Sequence, residues 1–158
     1  MPKLSTCLWF DGNGEEAMNL YTSVFKDSKI GNVSRYGDAG PGPKGSVMTA
    51  TFEIGGHEFM VLNGGPMYKF TPAISFVVPC RTQEDVDYYW SRLLEGGGAP
   101  QQCGWLTDRF GVSWQIVPTA LPEMLKDADP ERSRRVMEAM LKMAKLDIGA
   151  LKQAYEGR

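Results

Sequence analysis

Histidine and cysteine are scarce in this chain of 158 residues, one of the first and three of the second, and the scarcity excludes several chemistries. His57 alone cannot supply a site built from several imidazoles. Cys7, Cys80 and Cys103 are odd in number, far apart and without a C-x-x-C pair, so neither a disulfide framework nor a structural zinc site is expected. The thiols are read as reduced, in a cytoplasmic protein. An excess of positive charge is missing as well. Lys and Arg number 17 against 19 Asp and Glu, for a net charge of -2 and a pI near 5.5. Nucleic-acid binding needs clustered Lys and Arg to neutralise phosphates, so no nucleic-acid partner is expected. No apolar run approaches the roughly eighteen residues of a membrane span. The start, Met1 to Thr6, has no basic flank followed by a long apolar core, so neither a membrane association nor a secretory signal is expected.

What is present is an ordinary globular inventory, 42% hydrophobic, enough for a buried core. Leu4 to Phe10 reads as a strand. Asp11-Gly12-Asn13-Gly14 then turns into a helix with the apolar stripe Ala17, Leu20, Tyr21 and Val24. Lys29 to Tyr36 reads as a strand, a Gly/Pro-rich loop runs from Asp38 to Gly45, and Ser46 to Ile54 pairs with His57 to Asn63 across the hairpin dipeptide Gly55-Gly56. A second series follows. It comprises a strand from Ala73 to Pro79, a helix from Thr82 with Val86, Tyr89, Trp90 and Leu93 inward, a short strand near Gln101 to Cys103, and segments Trp105 to Arg109 and Val112 to Pro118. Both series read βαβββ, offset by about seventy residues, which predicts an internal structural duplication. The tail differs: Asp129 and Pro130 open a helix with Val136, Met137, Met140, Leu141 and Ala144 at helical spacing, and a second helix from Asp147 carries Ile148, Leu151 and Tyr155. These helices pack either on the chain itself or on a dimer partner.

Two glycine runs look like cofactor loops and are read otherwise. Gly12-Asn13-Gly14-Glu15-Glu16-Ala17 matches the dinucleotide fingerprint in form, but Glu15 and Glu16 would repel a pyrophosphate and hairpins follow where a parallel crossover is required. Gly96-Gly97-Gly98 follows a helix and reads as its stop. His57, beside a hairpin turn, reads as a rim residue, Asp108 as a turn former, and Arg132, Arg134 and Arg135 as the solvated face of the tail helix.

Several stretches together carry a resemblance: Leu8-Trp9-Phe10-Asp11-Gly12-Asn13, Asn63-Gly64-Gly65-Pro66, Thr71-Pro72-Ala73-Ile74-Ser75-Phe76, and Cys103-Gly104-Trp105-Leu106 leading to Trp114-Gln115-Ile116-Val117-Pro118. They resemble the PhnB-like branch of the vicinal oxygen chelate superfamily, the glyoxalase and bleomycin-resistance folds, a branch often labelled 3-demethylubiquinone-9 3-methyltransferase-like. The resemblance implies an α+β fold of two βαβββ modules, about 4–63 and 73–118, forming a half-barrel domain over 1–120, with helices over 121–158, and a homodimer. In glyoxalase-like relatives a His or Gln on the first strand, a Glu on the fourth, a His on the fifth and a Glu on the eighth bind a divalent ion. Carried over, those positions fall on Thr6, within Phe59 to Asn63, on Ser75 and on Gln115. None is a His or a carboxylate, so no tightly bound metal and no other cofactor is expected. The methyltransferase label also lacks support, since the repeated βαβ pattern of a doubly wound S-adenosylmethionine site is missing.

Two functions stay open. The first is a metal-free module binding a small, partly apolar molecule through Thr6, Trp9, Asn63, Ser75, Cys103, Trp105, Trp114 and Gln115, in the manner of the bleomycin-resistance relatives. The second is an enzyme, metal-dependent like the glyoxalases or dioxygenases or using Cys103 as its nucleophile.

Overall fold

In the computed structural model, which describes residues 1–158, the chain divides into two compact units, Met1–Lys69 and Phe70–Arg158. The first contains β1 (Thr6–Phe10), α1 (Gly14–Val24), β2 (Ser28–Arg35), β3 (Val47–Ile54) and β4 (His57–Asn63). Its sheet runs β1-β4-β3-β2, with β1 parallel to β4 and the other pairs antiparallel. Gly55 and Gly56 both take positive φ, 55° and 82°, as a tight hairpin turn demands of its central residues. The apolar stripe of α1 is buried as its spacing predicts, with Tyr21 6.2 Å from Phe52, which stacks on Phe59. Period-two alternation places Leu8, Phe10, Ala50, Phe52, Phe59 and Val61 in this buried layer and turns Cys7, Trp9, Thr51 and Met60 to the other face.

One side chain ties these elements together. Asn63 Oδ1 accepts from the Gly14 amide at 2.9 Å, its Nδ2 donates to the Val47 carbonyl at 2.9 Å, and its own carbonyl accepts from the Tyr36 hydroxyl at 2.6 Å. Gly14 allows α1 to come this close: a Cβ there would lie 2.1 Å from the Val61 side chain. The glycine therefore serves helix-to-strand packing.

The second unit contains β5 (Ser75–Cys80), α2 (Gln83–Leu94), β6 (Ala99–Pro100), β7 (Trp105–Thr107), β8 (Ser113–Pro118), α3 (Ala120–Leu125), α4 (Pro130–Leu141) and α5 (Ile148–Glu156). Its sheet, β5-β8-β7-β6, repeats the first unit's order, with β5 parallel to β8. The Thr82 hydroxyl accepts from the Asp85 amide and caps α2, as the sequence predicts. The short strand expected at Gln101 to Cys103 lies instead at Ala99–Pro100. Cys103 occupies a turn with φ 60°, because its amide and that of Gly104 donate to the carbonyls of Met143 and Ala144 in the tail. The sequence reading also missed α3, whose Pro122 falls in the first turn, where a helix tolerates the absent N–H.

The tail packs inside its own unit. Leu121, Met124, Val136, Leu146 and Leu151 form a cluster against which Val117 packs. Gln83 of α2 donates to the Leu146 carbonyl and accepts from the Ile148 amide, and Lys145 pairs with Asp87 at 2.8 Å. Two expectations change here. Met137 and Leu141 are exposed and do not share the buried side of Val136. Of the three arginines, Arg134 pairs with acidic neighbours on α4, whereas Arg135 donates to the carbonyls of Ala154 and Tyr155 and Arg132 lies over the Tyr155 ring. The last carbonyls of a helix are unsatisfied and carry its negative end, which a guanidinium suits.

Replacing Asn63 by Ala strands a buried amide and a buried carbonyl. We expect a loss of about 2–4 kcal/mol in urea unfolding, and a loss under about 0.5 kcal/mol would contradict this account.

Candidate functional site

Alternation along β8 puts Gln115 on the face of the second sheet opposite α2. Val77 of β5 and Trp105 of β7 are its register partners. The Gln115 side-chain amide donates to the Ser75 hydroxyl at 2.9 Å, both residues being half-buried. Trp105 is half-buried and Val77 is 57% exposed, unusual for a valine inside a strand. Ser75, Gln115 and Trp105, picked from the sequence, are thus brought together around a neutral hydrogen-bonding pair.

Trp114 does not join them. It follows the opposite phase of the strand, is 3% exposed, lies 5.4 Å from the Phe76 ring and donates its indole N–H to Asp108 Oδ2 at 2.9 Å. Asp108 is itself 3% exposed, and its Oδ1 accepts from the amides of Phe110 and Val112 at 2.9 and 3.0 Å. The turn role expected of Asp108 is present, and its bond to Trp114 adds a second role that local sequence does not signal. Cys103 sits in its turn, half-buried. The single histidine, His57, belongs to the first unit.

In the first unit Thr6 shares the phase of Leu8 and Phe10, on the α1 side of the sheet, and its hydroxyl lies 2.8 Å from His57 Nε2. His57 in turn meets the Phe59 ring edge-on at 4.7 Å. The residue of β1 that turns to the same face as Trp9 is Cys7. Trp9 donates to the Gly65 carbonyl at 2.9 Å and meets Tyr68 edge-on at 4.9 Å. Its ring lies flat against Gly64, where a Cβ would come within 2.4 Å. Asn63 is buried, and both ends of its amide are bonded within the protein.

The donor set does not fit a metal ion. Ser75 and Gln115 offer a hydroxyl and an amide, Phe59 to Asn63 contains no Glu, and the structure has no group of three His, Cys, Asp or Glu side chains able to share an ion. Neutral oxygens hold transition metals poorly. Among the thiols, burial, reinforced by the Asp85 charge, pushes Cys80 up to about 11, and burial also raises Cys7.

Two four-stranded sheets, each with one parallel pair and a helix on one face, define the vicinal oxygen chelate class of α+β proteins. The chain is similar to the structure of a PhnB protein from Bacillus cereus at 41% identity and a TM-score of 0.68, covering 74% of this chain and 99% of that one. Protein PA1353 from Pseudomonas aeruginosa shares 23% identity at a TM-score of 0.62, over 75% of this chain and 98% of its own. The fosfomycin resistance protein FosX from Mesorhizobium loti shares the fold alone, at 14% identity and a TM-score of 0.55, over 80% and 98%. The 3-demethylubiquinone-9 3-methyltransferase family model matches residues 2–117, and the chain belongs to that family. The tail helices lie beyond the match. No curated protein matches the sequence.

Two measurements follow from the buried groups. Asp108→Asn turns an amide N–H towards the Trp114 N–H or the two backbone donors, and should cost about 1–3 kcal/mol in denaturant unfolding; an unchanged midpoint would contradict the bonding described. For Cys80, an unfolded thiol ionises near 8.5 while the folded one holds its proton to about 11. Stability should therefore fall as pH rises through that window, more steeply than in Cys80→Ala, and parallel curves would contradict the shift.

Proposed function

We propose that this chain binds a small, partly apolar molecule on the open face of the β5-β8-β7-β6 sheet, without a tightly held metal ion. The observation that carries the reading is the Gln115–Ser75 hydrogen bond at 2.9 Å, in register with Trp105 and the exposed Val77. Small-molecule sites combine apolar and aromatic walls with a few placed polar groups. An amide held by a hydroxyl keeps its carbonyl oxygen available to accept from a ligand, while the indole and the valine offer apolar contact. A neutral pair of this kind selects a neutral or weakly polar group over an ion, because no full charge offsets the ligand's desolvation.

The family's name suggests methyl transfer, and the residues give that chemistry little to work with. Gly14 is occupied by packing against Val61, and Gly96 to Gly98 end α2. Neither run opens onto a parallel crossover of the kind a doubly wound cofactor site uses. The reading includes a cytoplasmic setting and the homodimer that the resemblance implies, which sedimentation of the purified chain would measure.

Titration of the 15N-labelled protein with a panel of small aromatic alcohols and amides should shift the Trp105 indole and Gln115 side-chain signals, and Gln115→Ala should weaken the effect about tenfold. Gln115→Glu restores one superfamily ligand and should still carry no metal through gel filtration in manganese- or nickel-containing buffer. About one ion per chain in the unsubstituted protein, or in this variant, would overturn the proposal.

A further inference from the structure

Outside the open sheet faces, the first unit holds a cavity of about 460 Å³ at the ends of β1 and β4, beneath the loop that joins β2 to β3. Its apolar walls are Pro41, Pro43, Pro66 and Val47. Four residues with polar side chains line it, Tyr36, Ser46, Asn63 and Asp11, and the side chains of three of these are already engaged. The Tyr36 hydroxyl donates to the Asn63 carbonyl, the Asn63 amide is bonded at both ends, and Ser46 donates to the Pro43 carbonyl. Asp11 makes no hydrogen bond or ion pair. The nearby cations are committed too: Arg35 pairs with Glu15 and donates to the Gly45 carbonyl, and Lys44 pairs with Asp38.

We infer that this cavity is a binding site for a small organic cation, a primary or secondary ammonium on a compact apolar body, with Asp11 as its charge partner. Three features select that chemistry. The volume falls within the range of small-molecule sites. The walls are proline and valine, which suit an apolar body and offer no side-chain donor to an anion. The single unengaged polar side chain is a carboxylate, and a charge-assisted bond from an ammonium is stronger than one between neutral groups. This site lies wholly in the first unit and involves none of the residues Ser75, Gln115 or Trp105.

The test is a 15N titration of the full chain with benzylammonium, benzyl alcohol and benzoate as matched probes of positive, zero and negative charge. Benzylammonium should shift the amides of Gly12, Gly42, Gly64 and Gly65 saturably, while the other two probes leave them in place at the same concentration. Asp11→Asn, an exposed substitution that breaks no bond, should keep the spectrum of the folded protein and weaken benzylammonium binding at least about tenfold. Benzyl alcohol binding as well as benzylammonium would overturn the inference, as would undiminished binding to Asp11→Asn or the absence of any shift at these glycines. The Trp105 and Gln115 signals report separately on the second unit and stay still if only this cavity fills.

Discussion

The bond from the Gly14 amide to Asn63 Oδ1 is the contact on which the first unit's layout depends. A helix leaves its first amides without partners, and burying one against a sheet costs on the order of 1–3 kcal/mol unless something accepts from it. Asn63 accepts, and because its other end holds the Val47 carbonyl, a single side chain sets the start of α1 against both β4 and β3. Its backbone carbonyl then anchors Tyr36, over whose ring the glycines of the β2–β3 loop pass: a Cβ on Gly42 would sit 2.3 Å from it. Helix, hairpin and loop thus meet at one residue. Asp108 does similar work in the second unit, closing the β7–β8 turn through two amides and joining that turn to the core through Trp114.

Features encoded within one element were legible in the sequence. The stripe of α1, the Gly55-Gly56 hairpin, the Thr82 cap and the paired βαβββ order all rest on spacings of a few residues, and the structure reproduces them. What depends on counting across a turn was less secure. The first-strand position, which falls on Thr6 only through the resemblance, is of this kind, because a shift of one residue moves a strand position to the opposite face. Trp114 could have been set aside by the same phase rule that singled out Gln115. Cys103 is different in kind, because its turn is held by Met143 and Ala144, some forty residues downstream, and no local pattern carries that contact. The cavity at Asp11 had no signal at all, being assembled from three separated stretches of chain.

The glycines show how a family's motif and a family's name can point in different directions. Gly12-Asn13-Gly14 and Asn63-Gly64-Gly65-Pro66 look like loops made for phosphate or cofactor. Yet Gly14 admits Val61, and Gly64 admits the Trp9 ring, so at both positions the missing Cβ makes room for the protein's own side chains. A loop whose free space is already filled from inside has little left for a pyrophosphate.

Charge gives the remaining step. Glu at the eighth-strand position would bring a full negative charge to a half-buried face, which only a metal ion or a cationic ligand would offset. Gln115 carries no such charge, and Ser75 takes up one of its two amide protons. In the first unit the balance runs the other way, since the Asp11 carboxylate has no hydrogen-bond or ion-pair partner while Arg35 and Lys44 are engaged elsewhere. The two proposed sites therefore differ in kind, a neutral Gln115–Ser75 pair on one sheet and a carboxylate beside an apolar cavity in the other unit, and they are expected to select different ligands: a neutral group at Gln115 and a cation at Asp11.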